Sequence, residues 1–133
     1  MEKKLSESQL KMLSSEELAY LGDSVFELCV RSELIYRGYR NAKPLVNAAR
    51  RYVSAPNQTK IYEKISSLLT TEEQIYFKRG RNQKHKNIPK HSTAKEYSIA
   101  TGLESVFGYL FLQQNFSSIE ELIQIIFDGE RNK

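Results

Sequence analysis

The chain has little of several things, and each scarcity excludes a class of protein. Its one cysteine, Cys29, rules out an intrachain disulfide and a cysteine-ligated zinc site, and points to a reducing compartment in which that residue is a small core side chain. Only three prolines (Pro44, Pro56, Pro89) are present, too few for an extended proline-rich linker. No run of 18 apolar residues exists and the N-terminus, Met-Glu-Lys-Lys-Leu-Ser-Glu-Ser, lacks a signal-peptide apolar region, so a cytoplasmic protein that does not engage the membrane is expected. No alternating run of Val, Ile and Thr appears, nor an Asn-Gly or Asp-Gly hairpin signal, which excludes a sheet protein. Residues 78 to 95 contain no acid at all.

That last stretch carries seven basic residues, Lys78, Arg79, Arg81, Lys84, Lys86, Lys90 and Lys95, against a net charge of +4 for all 133 residues, so the remainder of the chain is net acidic. The positive charge is a patch rather than a background. Such a patch is the footprint of a polyanion, usually nucleic acid, although a basic segment can also be no more than a solvated loop.

Helix signals run from end to end. Capping-box patterns at Ser14/Glu17, Thr70/Glu73, Thr93/Glu96 and Ser117/Glu120 each precede helical apolar spacing. They predict helices from about Ser15 to Tyr36, near Glu72 to Lys78, from about Ala94 to Gln114 and from Ser118 to Phe127. Pro44 announces another, with Lys43, Arg50 and Arg51 outward, ended by Pro56; one more spans about Asn57 to Leu69 and buries Ile61, Ile65 and Leu68. The expectation is a single all-α domain over 1–133, with six to seven helices around a central buried helix, a core of about 15–128 and one long loop from Gly80 to Ser92.

Two helices carry an anomaly. In Glu17-Leu-Ala-Tyr-Leu-Gly-Asp-Ser-Val-Phe-Glu-Leu28, Leu18, Leu21, Val25 and Leu28 form one stripe while Ala19, Phe26 and Val30 flank Asp23 on the other side. A helix apolar nearly all round is expected to be central and buried, and a buried carboxylate needs a partner or a cation. Glu16 and Glu27 share the Asp23 face, and clustered acids favour a hard cation. In Ser98-Ile-Ala-Thr-Gly-Leu-Glu-Ser-Val-Phe-Gly-Tyr-Leu-Phe111, Glu104 is set among apolar residues in the same way. Gly22, Gly102 and Gly108 each weaken a helix by roughly 1 kcal/mol relative to alanine, which close helix approach would offset. If those small faces meet, Asp23 and Glu104 converge in one crevice suited to Mg²⁺; otherwise Glu104 is an exposed residue of a half-buried helix.

These segments resemble a known family. Leu18-Ala-Tyr-Leu-Gly-Asp-Ser-Val-Phe-Glu-Leu28 is similar to the ribonuclease III signature, approximately E-x-L-E-F-L-G-D-[SA]-V-L, and Gly102-Leu-Glu-Ser-Val-Phe-Gly-Tyr-Leu-Phe-Leu112 to that family's second acidic helix. Lys78 to Asn82 and Val53 to Ala55 resemble segments of its compact branch, Mini-ribonuclease III, which has the catalytic domain without a double-stranded-RNA-binding domain. The resemblance implies a Mg²⁺-dependent endoribonuclease, Mn²⁺ being a possible substitute, that leaves 5′-phosphate ends. Asp23 and Glu104 would be catalytic and metal-binding, with Glu16 a weaker candidate. The wider family has further acids where this chain has Ala19 and Thr101. Lys43, Arg50, Arg51, Lys78, Arg79, Arg81, Asn82, Lys84, Lys86 and Lys90 are the candidate RNA contacts. The same resemblance implies a homodimer acting on double-stranded RNA, most specifically the large-subunit (23S) ribosomal RNA precursor, with a ribosomal protein as a further partner. Three rivals are a catalytically silent RNA-binding or ribosome-assembly protein, a basic helical protein-interaction module, and a scheme in which His85 and His91 act as general acid and base.

Overall fold

The computed structural model describes residues 3–84, 88 and 90–128. Among these residues there are helices and no strands. Seven α-helices follow one another: α1 (Glu7–Met12), α2 (Ser15–Tyr36), α3 (Ala42–Val53), α4 (Ala55–Ile65), α5 (Thr71–Arg81), α6 (Ala94–Leu112) and α7 (Phe116–Asp128), with a single 3₁₀ turn at Ser66–Leu68 between α4 and α5. No described helix is long and apolar enough to cross a membrane.

Three of the four expected capping boxes form, with both reciprocal bonds: Ser14 with Glu17, Thr70 with Glu73 and Thr93 with Glu96. The fourth does not. At α7 the Asn115 side chain accepts from the Ser118 backbone N–H at 3.2 Å, so the helix starts two residues early and Ser117 is not its cap. A further box, Ser6 with Gln9, starts α1, a short helix absent from the expected set. The helix expected over Glu72 to Lys78 runs on to Arg81, because its last turn packs on α6, and this places Arg79 on the helix and moves Arg81 from the expected loop onto it.

The helix enclosed on nearly every side is α6, packed against α2, α4, α5 and α7. Ala100 to Leu110 are buried except Glu104. By contrast α2 has a solvent face. Leu18, Val25, Phe26 and Val30 are buried, but Tyr20 is 85% exposed, Leu28 60% and Ile35 46%, and Asp23 itself is exposed. The expectation of a fully enclosed α2 is therefore corrected: its Ala19–Phe26–Val30 side enters the core, and the far end of the Leu18–Leu28 stripe emerges on the surface. Leu68, expected to be buried, is 53% exposed because the helix gives way to the 3₁₀ turn at Ser66.

Glycine sets the distance between α2 and α6. A Cβ on Gly22 would stand 1.6 Å from the Glu104 carbonyl oxygen, and one on Gly108 would stand 2.1 Å from that of Leu18. Backbone meets backbone at both points, which no larger residue permits. Gly102 serves a different contact, against the Phe77 ring of α5. Phe26 and Phe107 close the crossing edge-to-face, with ring centroids 5.2 Å apart.

Candidate active site

The α2–α6 crossing sets the two anomalous acids side by side. Gly22 lies against the backbone of Glu104, so the next residue on α2, Asp23, projects beside the Glu104 side chain and the two carboxyl groups are hydrogen-bonded. They face a cleft of about 250 Å³ lined by Glu16, Ala19, Tyr20, Asp23, Gln83, Tyr97, Thr101 and Glu104.

Burial first, and the Asp23 charge and hydrogen bond next, push the Glu104 carboxyl up to about 8, with Glu27 adding to the effect and Gln58 opposing it. Without a cation, Glu104 holds a proton near neutrality. Two carboxyl groups in contact behave this way because both cannot ionise cheaply until positive charge arrives.

Glu16 is exposed at the rim of the cleft, where it accepts from Gln83 Nε2 at 3.4 Å; Ser15 Oγ donates to Gln83 Oε1 at 3.0 Å. Gln83 thus ties the start of the basic segment to the first turn of α2. The two positions at which the wider family has acids carry no charge here. Ala19 is buried, and the Thr101 hydroxyl donates to the Tyr97 carbonyl of its own helix at 2.9 Å. The described residues contain no cluster of three or more His, Cys, Asp or Glu side chains fit to hold a metal. An exposed carboxylate, Asp23, beside a half-buried one, Glu104, with Glu16 at the edge, fits a hard ion that keeps several waters and completes its shell with a substrate phosphate.

The basic residues fall into two sets. Lys78, Arg81, Asn82, Lys84 and Lys90 are exposed on the last turn of α5 and the segment after it, and Lys43, Arg50 and Arg51 are exposed on α3. Arg79 is different: half-buried, it donates to the Leu13 carbonyl at 2.7 Å and its guanidinium lies 5.2 Å from the Tyr76 ring centroid, so its charge is engaged by the fold. Lys86 and His85 lie outside the described residues. His91 is exposed and is not part of the cleft wall. The cleft also contains residues that sequence reading missed. Tyr20 and Gln83 give no signal in a helical wheel; Gln58, buried outside the cleft lining and in register with Ile61 and Ile65, was detectable as a break in an apolar stripe.

Residues 16–115 match the model of the ribonuclease III domain. The chain belongs to the ribonuclease III family. Within that family its relatives are of the compact kind. It is 38% identical over 115 residues to a Mini-ribonuclease 3 of Enterococcus faecalis, covering 85% of this chain and 87% of the relative. To that of Symbiobacterium thermophilum it is 40% identical over 111 residues, covering 84% and 85%. A crystal structure of a Fusobacterium nucleatum protein superposes with a TM-score of 0.81 at 34% identity, covering 92% of this chain and 98% of that one. The chain thus falls with the Mini-ribonuclease 3 relatives as an endoribonuclease of the ribonuclease III type, and the all-helical fold agrees with that family.

Proposed function

We propose that this endoribonuclease hydrolyses phosphodiester bonds in double-stranded RNA, using a divalent cation held by Asp23 and Glu104. The observation that carries the reading is the convergence of two carboxyl groups, on residues 81 positions apart in sequence, at a backbone-close helix crossing. Asp23 and Glu104 would hold Mg²⁺, or Mn²⁺ in its place, which when bound would lower the pKa of a water and offset charge building on the phosphate. The protein's own part is to hold that charge in position. Asp23 and Glu104 present their oxygens into the cleft, with Glu16 an outer contributor at the rim. Glu104 must surrender its proton for this, which the cation's charge favours. No side-chain nucleophile is needed: the water oxygen would bond to phosphorus as the P–O3′ bond breaks, which leaves a 5′-phosphate on one product and a 3′-hydroxyl on the other.

Lys78, Arg81, Asn82, Lys84 and Lys90, with Lys86 of the same basic segment of the sequence, and Lys43, Arg50 and Arg51 on α3, would take the phosphates. Arg79 belongs to the same basic segment, but contributes there through the fold. Duplex RNA fits such a surface because its shallow groove is read through shape, phosphates and 2′-hydroxyls. A homodimer is part of the proposal. Leu28, Ile35 and Val46 are about half exposed or more, and an apolar groove of about 440 Å³ between α2 and α3 is lined by Ile35, Leu45, Val46 and Val53. Exposed apolar surface of this kind marks a protein interface. Glu27, which borders that groove and acts electrostatically on Glu104, places it beside the acids. Cytoplasmic maturation of the large-subunit (23S) ribosomal RNA precursor, assisted by a ribosomal protein, is the substrate assignment we draw from the family resemblance.

The test is incubation with duplex RNA and Mg²⁺, with and without chelator, beside Asp23→Asn and Glu104→Gln. The expected result is cleavage to 5′-phosphate ends by the unaltered chain alone, abolished by chelator. Cleavage surviving both substitutions, or products with 2′,3′-cyclic phosphate, would contradict the reading and favour the histidine scheme. Binding without cleavage by the unaltered chain would favour the silent RNA-binding protein.

A further inference from the structure

Behind the cleft, Glu104 has a polar neighbour on a third helix. Gln58, on α4, is only 1% exposed, in register with the buried Ile61 and Ile65, and is one of the few polar side chains within the core. Its Nε2 is buried without a partner of good hydrogen-bond geometry, yet the side chain lies in hydrogen-bonding reach of Glu104. A buried donor left unsatisfied costs about 1–3 kcal/mol, a cost that leucine or methionine at this position would not incur. The amide is therefore poorly explained by core packing alone.

Glu104 is approached from two sides. On the α2 side stand Asp23 and the close backbone of Gly22; on the α4 side stands Gln58. An ionised carboxylate accepts only, through two oxygens with about four lone-pair directions. A donor fixed behind it fills one of those directions and leaves the others facing the cleft. This is the arrangement by which groups one layer out from a metal orient its ligands.

We propose that Gln58 is a positioning residue that holds the Glu104 carboxylate in the orientation that binds the cation. The inference rests on the reading of Asp23 and Glu104 as the metal site. With its Nε2 otherwise without a partner, the Gln58 amide is free to serve the Glu104 carboxylate. Gln58 touches neither substrate nor the reacting atoms.

The experiment is a Mn²⁺ titration of the full chain without RNA, followed by electron paramagnetic resonance of the free ion, with melting in chelator as a second readout. The variants are Gln58→Met, Gln58→Leu and Asp23→Asn. Loss of such an outer partner weakens metal affinity about 10–100-fold. The expected result is at least a tenfold rise in the Mn²⁺ Kd for Gln58→Met and Gln58→Leu, with Tm equal to or above that of the unaltered chain. A Kd within twofold of the unaltered chain would overturn the proposal, whatever happens to Tm. So would failure of both variants to fold, since the amide would then serve the core. Mn²⁺ affinity unchanged in Asp23→Asn would instead overturn the metal site on which the inference rests, and so separates the two failures.

Discussion

Replacing Glu104 by glutamine is expected to destroy activity while making the metal-free protein more stable, and the gain is expected to depend on pH. The Glu104 carboxyl is raised from 4.5 to about 8 by burial and by Asp23. A raised acid takes up a proton on folding, so its contribution to stability is complete below pH 4.5 and is lost as pH climbs to about 8. One unit corresponds to about 1.4 kcal/mol, so the loss has a ceiling of about 4–5 kcal/mol at pH 8. Because Glu104 is open to the cleft and Asp23 is exposed, roughly half of that, about 2 kcal/mol, is expected. Glutamine keeps the volume and removes the ionisation. For a chain of this size 2 kcal/mol raises Tm by roughly 6–10 °C. Thermal melts of both proteins in chelator, from pH 5 to pH 8.5, measure it. The curves are expected to coincide near pH 5 and separate with rising pH, and added Mg²⁺ to recover stability for the unaltered chain alone. A Glu104→Gln protein no more stable at pH 8, or equally stabilised at pH 5 and pH 8, would refute the reasoning.

Other outcomes follow from separate features. Gly22→Ala places a Cβ 1.6 Å from the Glu104 carbonyl oxygen, so denaturant unfolding is expected to show a loss of about 3 kcal/mol or more, accompanied by loss of cleavage. Ser14→Ala removes the cap of α2 and is expected to cost about 1 kcal/mol in the same assay, leaving Asp23 and Glu104 in place. Lys84→Ala is expected to lower the slope of log K against log salt for duplex RNA by roughly one unit without altering Tm, whereas Arg79→Ala is expected to lower Tm through loss of its bond to Leu13. Val46→Asp, in the exposed α2–α3 groove, is expected to convert a dimer to a monomer in sedimentation.

What could be read in advance were features written in local chemistry. Three capping boxes located helix starts, because a Ser or Thr with Glu three residues on has one obvious use. Gly22 and Gly108 announced a close crossing, and the two acids beside them announced the cleft. The side of α2 that faces solvent was not legible, since a wheel apolar on both flanks cannot say which flank finds a partner; Leu28 emerges because no described helix covers it. Arg79 was legible as charge but not as a structural donor, because its acceptor is a carbonyl 66 residues away. Ser6 with Gln9 had the form of a capping box, but the helix it starts is only six residues long and has one buried side chain, Leu10. Gln58 matters through a contact with Glu104 on another helix, which no spacing within α4 reveals.

The most direct measurement is the anomalous scattering of Mn²⁺ in a crystal of the protein with a non-cleavable RNA duplex. The account predicts a peak in the α2–α6 cleft, with oxygens of Asp23 and Glu104 about 2.1 Å away and a substrate phosphate oxygen on the same ion. A cleft without a peak while the duplex is bound there, or an ion held by other residues, would contradict it.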